Sequence, residues 1–251
     1  MSVALTFVNK MKVKLSDEIL KTNLKLGLIE CIENLQAKTK DDTIYALGLY
    51  CGNPEFLYSA FTANTLNGLQ ESFLAIDNDE TEEDPESSKS FIRWNAADWK
   101  YHNFHRPQTL IDASVILGEI NDTMYDFGSC TEPEYPFSDA QLLEKSNGKK
   151  TYEIDPNITY YEFAEDVYYP ILEELYQVLN NILAEVKSEM KLRDDIFISL
   201  FIGDGPYDLM IQQGSKLNSK ETLRKVVREI EEYSDLVGFS VFEGEYQQYL
   251  K

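Results

Sequence analysis

Two histidines three residues apart, His102 and His105, are the first side chains in this chain that could do chemistry. An HxxH pair on a helix can offer two imidazoles to a metal ion. No cysteine lies beside them, and nothing in Trp99-Lys100-Tyr101-His102-Asn103-Phe104-His105 selects a third ligand. Two polar residues at a helix end is the plainer expectation, so no metal and no other cofactor is assigned. Cys51 follows an apolar run and could act as a nucleophile beside a histidine. A small apolar residue ending a core strand explains it more simply. Asp204 and Asp208 flank Gly203-Asp204-Gly205-Pro206, a place where hydrolases carry carboxylates, but Asp, Gly and Pro are what such a turn needs anyway. The sequence holds no GxSxG, P-loop, GxGxxG or HExxH pattern. No catalytic residue is assigned.

Charge carries the stronger signal. The 251 residues hold 44 Asp and Glu against 23 Lys and Arg, a formal net charge of −21. Residues 107–186 contribute sixteen acids and three lysines, a net of −13, whereas the first 76 residues come to −1. A field of that sign repels nucleic acid and anionic membranes and favours a basic partner. Tyrosines are interleaved with these acids, and tyrosine supplies rigid amphipathic contact area at interfaces. Glu132, Glu134, Tyr135, Tyr161, Glu162, Glu165 and Asp166 are therefore the candidate partner-binding residues. The leading expectation is a binding module that neutralises a basic protein, such as a nuclease toxin. A small-molecule sensor or enzyme using His102, His105 and Asp204 is an alternative, as is a nucleic-acid mimic with carboxylates spaced like phosphates. Solubility alone is the bland explanation of the charge.

The elements that would position these residues follow from periodicity. At 43% hydrophobic the chain is too apolar to be a disordered acidic tail. Ser16 is placed to cap a helix over residues 17–37, with Ile19, Leu20, Leu24, Leu28, Ile32 and Leu35 recurring at helical spacing. Residues 43–50 read as a central strand, and residues 56–63 as its antiparallel return. Asn64 or Thr65 then caps a short helix to Ile76. Seven acids between Asp77 and Glu86 mark residues 77–90 as a solvated loop. Phe91–Trp94 reads as a short strand, with Asn95 and Asp98 capping a following helix. Residues 108–120 suggest another helix and residues 126–157 a long loop. Thr159 to Glu162 has capping-box spacing and opens the longest helix, to about Leu192, with Pro170 kinking or restarting it. A buried strand at 196–202, a helix from an Asn218 cap to about Tyr233, and a strand at 236–242 complete the chain. One α+β domain, its antiparallel or mixed sheet flanked by helices, accommodates this order. Three cysteines with no CxxC give no disulfide framework, and no apolar run is long enough to span a bilayer or serve as a signal segment, so a cytoplasmic location is expected.

Tyr45-Ala46-Leu47-Gly48-Leu49-Tyr50, Asn64-Thr65, Arg93-Trp94-Asn95-Ala96-Ala97-Asp98-Trp99, Gly203-Asp204 and Lys216-Leu217-Asn218 occur in an order that resembles the bacterial family called domain of unknown function 4303. The tryptophan pair is its most specific element, and Asn95-Ala96-Ala97-Asp98 departs from the Ser-Pro-Ala-Glu type found between the tryptophans there. The resemblance spans about residues 17–235 and implies no catalytic residues. It implies small cytoplasmic proteins of the kind found beside secreted toxins, where immunity proteins are common. Arg93, Trp94, Asn95, Asp98 and Trp99 are expected to be structural, with both rings facing one core.

Overall fold

The computed structural model describes residues 3–51, 59–129, 167–203, 207–242, 244 and 246–251. Helix α1 spans Val3–Leu15 and α2 Glu18–Lys38. Asp17, one residue after the expected Ser16, caps α2 by accepting the Ile19 N–H at 2.7 Å. Of the predicted stripe, Leu20, Leu24, Leu28, Ile32 and Leu35 are fully buried, whereas Ile19 is 64% exposed. Strand β1 (Ile44–Cys51) is central in the order β2-β1-β3. It pairs antiparallel with β2 (Ser59–Thr65), Leu47 opposite Ala63, and parallel with β3 (Phe197–Ile202), Leu47 opposite Ile198. The sheet is thus mixed and the fold α+β.

Helices cover both faces. Leu47, Leu49, Phe61, Ile198 and Leu200 meet an aliphatic layer built from α1, α2, α5 (Gln108–Ser129) and α6 (Tyr169–Glu189). Helices α2 and α5 pack closely because Gly27 lies where a Cβ would stand 2.9 Å from Leu110. Pro170 lies in the first turn of α6, where its missing N–H costs nothing, so proline marks a helix start here. On the other face Ala46, Phe197 and Phe201 meet Trp94, Trp99, Met210 and the apolar stripe Leu223, Val226, Val227 and Ile230. That layer comprises α4 (Pro85–Trp94), α7 (Tyr207–Gly214) and α8 (Lys220–Val237). Helix α3 (Leu66–Asp77) follows β2, with Thr65 accepting the Gly68 N–H as its cap.

Strand β3 is an edge strand, and one side chain occupies its open side. Asn218 Oδ1 accepts the Ile198 N–H at 2.9 Å, and Nδ2 donates to the Ile198 carbonyl at 2.6 Å. The amide thus satisfies both groups a neighbouring strand would have used, which blunts the edge.

Several expectations are corrected. Residues 85–94 form a helix and neither a loop nor a strand, because Pro85 lies in the first turn and Asp84 caps it by accepting the Ser87 N–H. After it comes only a 3₁₀ turn, Ala96–Asp98; Asn95 makes no cap bond and donates instead to Asp98 Oδ2 at 2.6 Å. The His102–His105 stretch is not helical: Asn103 has φ 51° and donates its N–H to the Phe61 carbonyl. Helix α5 runs on through residues 126–129, which had been assigned to a loop. Helix α8 is capped by Ser219, since Asn218 is engaged with β3. No strand forms at 236–242: α8 continues to Val237 and stops at Gly238, whose φ of 75° is a left-handed cap. The capping box at 159–162 lies outside the described residues.

Candidate functional site

The tryptophan motif is an anchor for the aromatic face. Trp99 donates its indole N–H to the Arg93 carbonyl at 3.2 Å, and Tyr45 donates its hydroxyl to the same oxygen at 3.0 Å. Among the described residues Trp94 has no partner for its indole N–H, and it is held by edge-on packing against Tyr45 and Phe197. The Arg93 guanidinium reaches Glu229 on α8 with two bonds, 2.9 and 3.4 Å. Arg93, Trp94 and Trp99 therefore tie α4 to the sheet and to α8, and both rings share one core as expected.

The histidines separate. His102 stands edge-on to Tyr50, ring centroids 4.8 Å apart, with Nδ1 3.4 Å from Thr62 Oγ1. Burial pushes its pKa below the usual value, so the neutral ring prevails. His105 lies 3.1 Å from Glu30 and 3.2 Å from Asn34. Among the described residues no group of three His, Cys, Asp or Glu is placed to hold a metal. Cys51 is the buried last residue of β1, the structural role anticipated for it. Cys31 is fully buried, which pushes its thiol up to about 12. Asp208 accepts the Gly244 N–H at 3.1 Å and belongs to a loop tie. Asp204 and all seven candidate partner-binding residues, Glu132 to Asp166, lie outside the described residues.

A feature not anticipated is an acid-rimmed apolar ridge where α4 and α8 run antiparallel. Arg93 faces Glu229, and one turn later on α8 Tyr233 meets Phe91, ring centroids 5.8 Å apart. The same antiparallel course carries the start of α4 toward the end of α8. Phe91, Leu236 and Phe239 are exposed at 40, 51 and 64%. Leu236 is three residues beyond Tyr233, hence on the same side of the helix. The same two segments carry Asp84 and Glu86 at the start of α4 and Glu232 and Asp235 on α8, all exposed. Lys89, the cation of this stretch of α4, is bound to Asp77 at 2.6 Å and Glu86 at 3.1 Å. Asp84 and Glu86 are favoured at a helix N-terminus, whereas α8 has no basic residue in its last turn to offset its acids. The signal that could have found this ridge was Tyr233 and Leu236 at helical spacing but off the buried stripe.

Residues 24–144 match the family model described as domain of unknown function (DUF4303). Over that stretch, just under half of the chain, the sequence is similar to the DUF4303 family. No curated protein and no solved structure gives a match. The DUF4303 match takes in most of α2, strands β1 and β2, and the whole tryptophan motif. Glu229, Tyr233 and Leu236 lie beyond it, so the ridge joins a helix inside the matched stretch to one outside it. No helix among the described residues is long and apolar enough to cross a membrane.

Proposed function

We propose that this protein is a binding module that takes a basic partner on the acid-rimmed ridge of α4 and α8, in the manner of an immunity protein covering a cationic effector. The observation that carries the proposal is the exposed set Phe91, Leu236 and Phe239, with the half-buried Tyr233 against Phe91, beside four exposed carboxylates and one lysine already neutralised by Asp77 and Glu86. Aromatic anchors supply the desolvated centre of an interface, and rim carboxylates steer a cationic partner and exclude an anionic one. The net charge of −21 supports fast, salt-sensitive association.

The test is affinity capture on immobilised protein at low and high salt, with a second column carrying Phe91→Ala, Tyr233→Ala and Leu236→Ala. The expected result is one basic protein held by the parent column at low salt, released by high salt and absent from the variant column. A partner held equally by both columns, or none on either, overturns the proposal. Circular dichroism of the variant guards against loss of fold.

A further inference from the structure

The end of α6 forms a hollow of opposite character to the rest of this acidic chain. It encloses about 360 Å³ between α6 and the segment after α7, and its rim carries Lys187, Lys191 and Lys216 with Ser188 and a single carboxylate, Asp194. Elsewhere Lys12, Lys21, Lys25, Lys89 and Lys100 each meet a carboxylate. Here the bonds leave donor capacity free. Lys187 donates to the Leu217 carbonyl at 3.0 Å and pairs with Asp194 at 3.1 Å. Lys216 donates to Gln213 Oε1 at 3.0 Å, a neutral acceptor. An ammonium has three protons to give, so Lys216 keeps two. The Lys191 ammonium makes no hydrogen bond or ion pair among the described residues.

Lys191 is also the odd residue for its backbone. Helix α6 ends in a Schellman arrangement: Leu192 N–H donates to the Lys187 carbonyl at 3.0 Å and Lys191 N–H to the Ser188 carbonyl at 3.3 Å. That arrangement places Lys191 at the left-handed position, φ 51°, where glycine is the favoured residue. A lysine there bears backbone strain that its own contacts do not offset, and such strain is retained where the side chain is used. The bonds also occupy the Lys187 and Ser188 carbonyls, so the negative end of the helix is partly capped on this side.

We infer that this hollow binds a phosphate group, as inorganic phosphate or on a small phosphorylated molecule, through Lys187, Lys191, Lys216 and the Ser188 hydroxyl. Three cations against one carboxylate give local positive charge in a chain whose net charge is −21. The volume suits a phosphate with a small substituent.

The test is a ³¹P NMR titration with inorganic phosphate and pyrophosphate at constant ionic strength. Direct detection is needed because phosphate raises melting temperatures through exclusion from protein surfaces. The parent protein should show saturable one-site binding. Lys191→Gly with Lys216→Gln should weaken it at least tenfold, whereas Lys14→Gln on α1 should leave it unchanged. Lys191→Gly alone should not lower the melting temperature, since glycine suits that backbone. An absence of saturable binding, or binding kept by the double variant, overturns the inference. Pyrophosphate binding much more tightly than phosphate would sharpen the ligand class to a phosphoanhydride or diphosphate.

Discussion

The two faces of the sheet are held by different physics. One face is covered by α1, α2, α5 and α6 mainly through Leu, Ile, Val and Met side chains, with Phe7, Cys31 and Tyr176 among them. The other is covered through rings, Trp94, Trp99, Phe197 and Phe201, threaded by Tyr45, Asn64, Thr62 and the Arg93–Glu229 pair. Aliphatic packing is non-directional and tolerates exchange of shape, whereas rings joined by hydrogen bonds specify both position and orientation. Conservative substitutions should therefore be cheap on the first face and costly on the second.

The largest contrast is expected between Trp99 and Leu28. Trp99→Leu keeps an apolar side chain but loses the ring against Phe201, at 4.7 Å, and the bond to the Arg93 carbonyl. It should cost about 2–4 kcal/mol. Leu28→Met, equally buried, should cost less than about 1.5 kcal/mol. Urea unfolding of the two variants measures both values, and equal costs would break the contrast.

A smaller contrast sets two ion pairs side by side. Arg93 and Glu229 are partly shielded and joined by two bonds, so a double-mutant cycle should give a coupling of about 1–2 kcal/mol. Lys25 meets Glu185 and Glu189 on the outside of the aliphatic layer, and its pairs are open to solvent. The same cycle there should be indistinguishable from zero, because exposed pairs are screened and lose side-chain freedom. Coupling of similar size at both places would remove the claim that the tryptophan motif is locked to α8 by charge.

The same division explains what could be read from the chain. Helix α2 and strands β1 and β3 were legible because apolar residues repeat at helical spacing or run unbroken over strand length. The aromatic face was not, since its order depends on contacts such as Tyr45 to the Arg93 carbonyl that join residues 48 apart. Helix α4 was hidden because its first half is Pro, Glu and Ser, a loop composition, although Asp84-Pro85 is also a helix start. Asn218 was read as a cap because its type and spacing fit one; only the position of β3 shows that its amide completes a strand edge. The ridge was missed for a related reason. Tyr233 and Leu236 acquire meaning only when α4 lies alongside, and no spacing within α8 announces that neighbour.

The finest test makes one chemical change on both faces. Tyr45 donates to the Arg93 carbonyl and accepts from Asn64 Nδ2 at 3.2 Å, so Tyr45→Phe strands a buried amide donor. It should cost about 1–2 kcal/mol at pH 7. Tyr176 on α6 is buried with no partner for its hydroxyl among the described residues, so Tyr176→Phe should leave stability unchanged or raise it by up to about 1 kcal/mol. Burial raises the pKa of both phenols above the usual value. A group held up in the folded state contributes stability that is complete below its unfolded pKa, about 10, and is lost as pH rises beyond it. Each Phe variant should therefore lose less stability than the parent above pH 10, while only Tyr45→Phe starts lower at pH 7. Urea midpoints at pH 7 and at pH 10.5 separate the two effects. If Tyr176→Phe costs as much as Tyr45→Phe at neutral pH, the hydroxyl on the aliphatic face has a partner after all, and the contrast between the two faces narrows to packing alone.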